Sequence, residues 1–145
     1  MTSVLQSPNR VLGAVIGAVY VLVGVLGFTV TQGVGFFAAE GGLLFGVLQV
    51  NAPHNILHIL IGSALLLAAL SSMRAASTVN SVTGTVFLVL GLAGLFLVGS
   101  PANVLALNVA DNVLHFGTAA VLLAVGLGAD KGGADKGGAD TRDAA

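Results

Sequence analysis

The sequence predicts an all-α membrane protein: four transmembrane helices built as two repeated helical hairpins, related by a pseudo-two-fold along the membrane normal. Three observations carry that expectation. Hydrophobic residues make up 56% of the 145 and charged residues only 8%, whereas a soluble domain carries about a quarter charged residues. Four apolar stretches, 11–30, 54–71, 82–98 and 109–127, are each about 17–20 residues long, which as helix matches the hydrocarbon thickness of a bilayer. The second half also repeats a polar motif of the first, NVADNVLH at 108–115 after NAPHNILH at 51–58.

The elements follow in order. Residues 1–10 form a short arm ending in Arg10, and 11–30 the first span. That span is longer than a usual signal core and no A-x-A site follows it, so it reads as a retained helix. The outer segment 33–50, within GFFAAEGGLLFGVLQV, is too apolar for a solvated loop and too interrupted by glycine for a fifth span. A short helix in the outer interface or across the bundle mouth is expected there. Spans two, three and four make up the rest of the transmembrane domain, 11–128. The tail, 129–145, repeats GADKG without an aromatic residue. Too little apolar surface is available to order it, which predicts a disordered cytoplasmic tail.

All five basic residues (Arg10, Arg74, Lys131, Lys136 and Arg142) fall in the arm, the connection between spans two and three, or the tail. With four spans these regions share one side, so the positive-inside rule predicts a plasma-membrane protein with both termini in the cytoplasm. There is no cysteine, which excludes disulfides, thiolate nucleophiles and iron–sulfur clusters. A net charge of −1 gives no nucleic-acid signal. The lipid bilayer is the implied partner, with a homo-oligomer or a partner membrane protein left open.

A shift of 57 residues superposes Val47, Leu48, Asn51, Asn55, Leu57, His58, Leu65, Leu66 and Leu70 on identical residues of the second half. A shift of 67 matches Gly17, Gly24 and Gly27 to Gly84, Gly91 and Gly94, with Tyr20 meeting Phe87. Two-span units insert the same way up, so the copies should be related by an axis along the membrane normal. The glycines, in small-xxx-small pairs such as Gly13/Gly17, predict close helix packing within one bundle.

Offsets of 0, 3, 4 and 7 place Asn51, His54, Asn55 and His58 on one face of helix two. Asn108, Asp111, Asn112 and His115 repeat the stripe on helix four, with the last histidine about 10 Å deeper than the first asparagine. Asn51 and Asn108 suit N-caps, Pro53 is tolerated in a first turn, and Asp111 suits a capping box. Asn55 and Asn112, one turn inside, are expected to hydrogen-bond across helices. The eight residues together form a polar clasp near the outer leaflet. A structural clasp in a non-enzymatic accessory component is the first reading.

Intramembrane ionisable residues are functional candidates by default, and three ligand readings compete. A metal site would draw on His54, His58, Asp111 and His115, suited to zinc or iron. His58 and His115 at equal depth could be axial ligands of one haem b. His58, His115 and Asp111 could instead relay protons or bind a quinone head group. A carrier is a further reading, for which so short a chain would need an oligomer. No nucleophile–base pair, phosphate loop or dinucleotide fingerprint is present.

The paired motif, NAPHNILH and NVADNVLH each leading into an apolar helix, resembles the four-helix bacterial membrane proteins grouped as domain of unknown function 4383, found chiefly in actinobacteria. The resemblance covers about residues 8–128, leaving out the tail. It implies a small integral membrane protein of four helices and no activity. By match to the motif, the eight Asn, His and Asp positions carry over without a role.

Overall fold

A computed structural model describes residues 4–130. A 3₁₀ turn, Val4–Gln6, leads into four helices: α1 (Pro8–Gly27), α2 (Ala52–Ser71), α3 (Met73–Leu97) and α4 (Val109–Gly128). Each is long and apolar enough to cross a membrane. Between α1 and α2 the chain makes an antiparallel hairpin of β1 (Gly42–Leu44) and β2 (Leu48–Val50), with Gly42 opposite Val50 and Leu44 opposite Leu48. This is an all-α membrane protein apart from that hairpin. The tail beyond residue 130 lies outside the described residues.

The largest departures from the sequence reading are at α1, at the start of α3 and in the α1–α2 connection. Helix α1 runs from Pro8 to Gly27, not 11 to 30, because Ser7 caps it and accepts from the Arg10 amide, with Pro8 in the first turn. Helix α3 begins at Met73, nine residues before the apolar stretch does. Ser72 closes α2 and caps α3 at once, its side chain accepting from the Ala75 amide. In place of the short outer helix stands the β-hairpin. Its turn residues Phe45 and Gly46 have positive φ angles of 54° and 72°, the backbone pattern of a tight hairpin turn. The segment is half-covered by protein, not laid out as a helix: Leu44 and Val50 are buried.

The bundle is inside-out relative to a soluble protein. Leu60, Leu67, Leu70, Val89, Leu95 and Phe96 point outward, while the buried positions of α1 include Gly13, Gly17, Gly24 and Gly27. Lipid is as apolar as leucine, so helices gain little by hiding large side chains and associate through close backbone contact and polar groups. Helix α1 packs chiefly on α2, and α3 on α4, with much sparser contact between α2 and α3. At Gly17 an added Cβ would come within 2.7 Å of the Gly62 carbonyl oxygen, and reciprocally a Cβ at Gly62 would meet the Gly17 carbonyl. A small core of Tyr20, Leu65, Phe87, Ala119 and Leu122 joins the two helix pairs at mid-depth.

Polar groups tie together the end of the bundle that carries Arg10. The Asn80 amide donates to the backbone carbonyl and the side-chain oxygen of Asn9, both at 3.0 Å. Asn9 in turn donates its backbone N–H and its side-chain amide to Asp130, which also accepts from Ser7 Oγ at 2.7 Å. Arg10 donates Nε to the Ala69 carbonyl at 2.7 Å and Nη2 to the Leu70 carbonyl, covering the open carbonyls that end α2. Residues Ala129 and Asp130, read from sequence as the start of the tail, are thus attached to α1.

Two outcomes follow. Gly17→Ala should destabilise the bundle by about 1–3 kcal/mol, the usual cost of overpacking, in thermal or denaturant unfolding in detergent. Gly117→Ala, where an added Cβ meets nothing within 4 Å, should leave stability unchanged. At Asp130, desolvation pushes the carboxyl up, but the hydrogen bonds from Ser7 and Asn9 outweigh it and hold the group below its ordinary value of 3.8. A depressed carboxylate stabilises above its unfolded value and loses that contribution as pH falls through the folded one. Amide exchange over Val125–Ala129 should therefore accelerate as pH drops through the region below 3.8, relative to intrinsic rates, and Asp130→Ala should remove that step.

Candidate functional site

The doubled motif lies where predicted along the chain, at the start of α2 and of α4, but its residues divide by depth into groups with different bonding. The outer group is fully engaged. Asn51 caps α2, its Oδ1 accepting from the His54 amide at 3.1 Å, while Nδ2 donates to the carbonyls of Ala38 at 3.0 Å and Val104 at 2.8 Å. Asn108 caps α4 in the same way and donates Nδ2 to the Val47 carbonyl at 2.7 Å. Asp111 completes a capping box, accepting from the Asn108 amide at 2.9 Å and also from the Gln49 amide of β2 at 3.3 Å. These three residues satisfy orphaned helix amides and fasten the α1–α2 and α3–α4 connections to the bundle.

Asn103, which the sequence reading missed, does similar work in the second connection. Its amide donates to the Leu107 carbonyl and its oxygen accepts from the Leu107 amide, at 2.8 and 2.9 Å.

One turn deeper, Asn55 and Asn112 behave differently from expectation. Neither Nδ2 nor Oδ1 of Asn55, nor Oδ1 of Asn112, has a hydrogen-bond partner. Each side chain instead fills the space over a glycine of the neighbouring helix. A Cβ at Gly27 would overlap the Asn55 amide, and a Cβ at Gly94 would overlap that of Asn112. The contact is the same in both hairpins, between residues that the shifts of 57 and 67 equate.

The histidines converge. His54, His58 and His115 are exposed by only 2, 7 and 2%, and one ring nitrogen from each lies within 4.8 Å of the others. Ring centroids are 4.4 Å apart for His54 and His58, and 5.9 Å for His54 and His115. Aromatic residues hold the rings in place. Tyr20 meets His58 edge-on at 5.0 Å, Phe87 stacks on His115 at 5.2 Å, and Tyr20 and Phe87 touch each other at 5.0 Å. The Tyr20 hydroxyl is hydrogen-bonded to Thr118 Oγ1 at 3.0 Å. Asp111, the fourth metal candidate from sequence, lies outside this group and is occupied as a cap.

Bonding sets the trio apart from the caps. Both side-chain nitrogens of His54 and the Nδ1 atoms of His58 and His115 are buried without a hydrogen-bond partner. Backbone groups of Leu105 and Gln49 lie within electrostatic reach of His54 but not in hydrogen-bonding geometry. A buried polar group left unpaired costs about 1–3 kcal/mol.

All three histidines line a cavity of about 380 Å³ between α2 and α3, whose other walls include Leu57, Val86 and Leu90. A second cavity of about 240 Å³ between α1 and α4 reaches His58 and His115 from the opposite side, past Tyr20, Asp111 and Thr118. Tyr20 and Phe87 were visible in the sequence as matched positions of the repeat; nothing in the pattern identified them as walls of the histidine site.

The Asn55–Gly27 contact predicts coupling. Gly27→Ala alone should lower stability by about 1–3 kcal/mol by overpacking. In the double variant with Asn55→Ala most of that loss should be recovered, since the space over residue 27 is then free. A thermodynamic cycle of unfolding in detergent reads the coupling directly.

No curated protein and no solved structure matches the chain. The profile of one protein family, described as domain of unknown function (DUF4383), matches residues 10–128, from the first turn of α1 to the end of α4. The chain therefore belongs to the DUF4383 family.

Proposed function

We propose that this is a plasma-membrane protein whose inner histidine trio binds one divalent transition-metal ion, while the outer Asn/Asp layer serves as the structural clasp. The observation that carries the metal reading is the convergence of three buried imidazoles, in which both nitrogens of His54 and the Nδ1 atoms of His58 and His115 have no hydrogen-bond partner. A purely structural clasp would be expected to pair those nitrogens, as it pairs Asn51, Asn108 and Asp111. Neutral imidazole is the form that binds metal, and three histidines with an open fourth position are a familiar zinc set. Nitrogens bound to one tetrahedral zinc sit about 3.3 Å apart, so each ring needs to move by about an ångström or less from the observed separation of up to 4.8 Å.

The same geometry disfavours haem b. A macrocycle between His58 and His115 needs a flat slot, and His54 stands against both rings.

Matched contacts in the two hairpins support a pseudo-two-fold along the membrane normal: Asn55 over Gly27 and Asn112 over Gly94, Tyr20 on His58 and Phe87 on His115. The basic residues of the described chain, Arg10 and Arg74, lie at the end opposite the motif, which favours cytoplasmic termini and a site near the outer leaflet. The reading is of a binding site.

The test is metal analysis of protein purified in mild detergent and dialysed against Zn²⁺ or Co²⁺. One ion per chain is expected. His54→Ala, His58→Ala and His115→Ala should each weaken binding by about 100-fold or more, and Asp111→Asn by far less. Metal at 100 times its Kd should stabilise the wild type by about 2.7 kcal/mol. Absence of stoichiometric metal, or equal binding by the three alanine variants, refutes the reading; a Soret band would restore haem.

A further inference from the structure

The cavity beside the trio identifies the kind of molecule that shares the site. Every one of the three histidines borders the chamber between α2 and α3, so a molecule seated there lies beside an ion they would hold. Apart from the imidazoles and Thr85, its walls are hydrocarbon or aromatic: leucines, isoleucine, valines, alanine and Phe87. Its rim reaches the lipid-facing surface, since Leu57, Val86 and Val89 are exposed by 39, 48 and 59%. It lies at the seam between the two hairpins, where α2 and α3 pack sparsely. At about 380 Å³ it falls at the small end of ligand sites, roughly 300–1,000 Å³. That suits one chain or one ring and not a two-chain phospholipid.

The chamber between α1 and α4 supplies an internal control. Its walls correspond, repeat position by repeat position, to those of the first: Leu48 to Leu105, Tyr20 to Phe87, Val23 to Leu90, Leu114 to Leu57. It differs where chemistry is concerned. Asp111, committed to its two backbone amides, stands where the first chamber has His54, so only two histidines face this side. The departure from exact repetition thus gives one of two like chambers the complete ligand set.

We propose that the α2–α3 chamber receives a lipid-soluble ligand, a single hydrocarbon chain or ring carrying an oxygen donor, which enters sideways from the bilayer and coordinates the ion held by His54, His58 and His115. The proposal rests on the metal reading above. Apolar walls take the hydrocarbon body, and the only strong polar interaction on offer is the open coordination position. A water-soluble ligand of the same donor chemistry would leave those walls unused.

Full-length protein in detergent, first shown to bind Co²⁺, is titrated with decanohydroxamic acid and with acetohydroxamic acid while the visible absorption of the Co²⁺ centre is followed. The long-chain hydroxamate should perturb the spectrum at a concentration about 30-fold or more below the short one. Ala93→Phe, which fills the chamber, should abolish that preference while Co²⁺ still binds, and Leu57→Trp on the opposite wall provides a second filling variant. Val23→Trp, in the α1–α4 chamber, should leave the preference intact. If Co²⁺ does not bind the wild type, the metal reading fails and this one with it. If Co²⁺ binds but the two hydroxamates act alike, or the preference survives both filling variants, the chamber is not the site and only the metal reading stands.

Discussion

Close backbone contact between helices in lipid is the constraint from which the rest of this structure follows. Inside a bilayer, leucines have no reason to leave the surface, and a four-helix bundle must be held by what small and polar residues can do. The reciprocal approach of Gly17 and Gly62 brings α1 against α2, and it leaves the interior with little side-chain volume of its own. What fills the interior is therefore decided by the few larger inward residues, and in the half that carries the motif these are asparagine, histidine, tyrosine and phenylalanine. The asparagine amides occupy the spaces above Gly27 and Gly94 because those positions lack a Cβ. Polar convergence here is a consequence of glycine packing as much as of the motif.

The doubled motif accounts for a central convergence, and the difference between its two copies for a one-sided site. Equivalent helices present equivalent stripes, so His58 and His115 approach each other near the middle of the bundle, each with its own aromatic neighbour. A strictly symmetric protein would carry four histidines or two carboxylates around that centre. Here the second copy replaces His54 by Asp111, and the carboxylate turns outward to the amides of Asn108 and Gln49. One substitution provides both a stronger cap for α4 and a three-nitrogen cluster biased toward the α2–α3 side. Tyr20 against Phe87 adds to the bias, because its hydroxyl is taken by Thr118 on the other side.

Much of this was legible in the sequence, for physical reasons that also account for what was not. Spans show because hydrocarbon thickness sets a minimum apolar length, and the motif shows because helical spacing puts offsets 0, 3, 4 and 7 on one face. Helix α3 was read nine residues short since its first turns, Met73–Ser81, are polar and lie below the apolar window, while Ser72 caps them all the same. The hairpin was read as helix because Gly41, Gly42 and Gly46 interrupt an apolar run without declaring why. Gly42 lies so close to the Val30 carbonyl that a Cβ would collide with it, a long-range contact that no local pattern reveals. Asn9 and Asn80 escaped notice for the same reason, as lone asparagines whose partners lie on other elements. Most instructive are Asn55 and His58, side by side on one stripe: spacing put both inside, but only geometry separates an amide resting on glycine from an imidazole directed at two others.

In the proposed metal reading, the clasp and the metal site, opposed as readings of the sequence, become one device in three dimensions. Within each helix pair the glycine contacts are extensive, whereas α2 meets α3 along a sparse seam that opens into the larger chamber. Two of the three histidines come from α2 and the third from α4, so an ion held by all of them would tie the first pair to the second, where direct packing is much sparser than within each pair. Unbound, the same nitrogens are a liability of about 1–3 kcal/mol each by the usual cost of orphaned polar groups. Binding removes that penalty and adds a cross-pair link, so metal occupancy and docking of the two pairs are thermodynamically coupled. The outer layer of Asn51, Asn108 and Asp111 does not depend on the ion, because its hydrogen bonds are complete without it. Loss of metal should therefore loosen the seam between the pairs while leaving the caps, the β-hairpin and each glycine-packed pair intact.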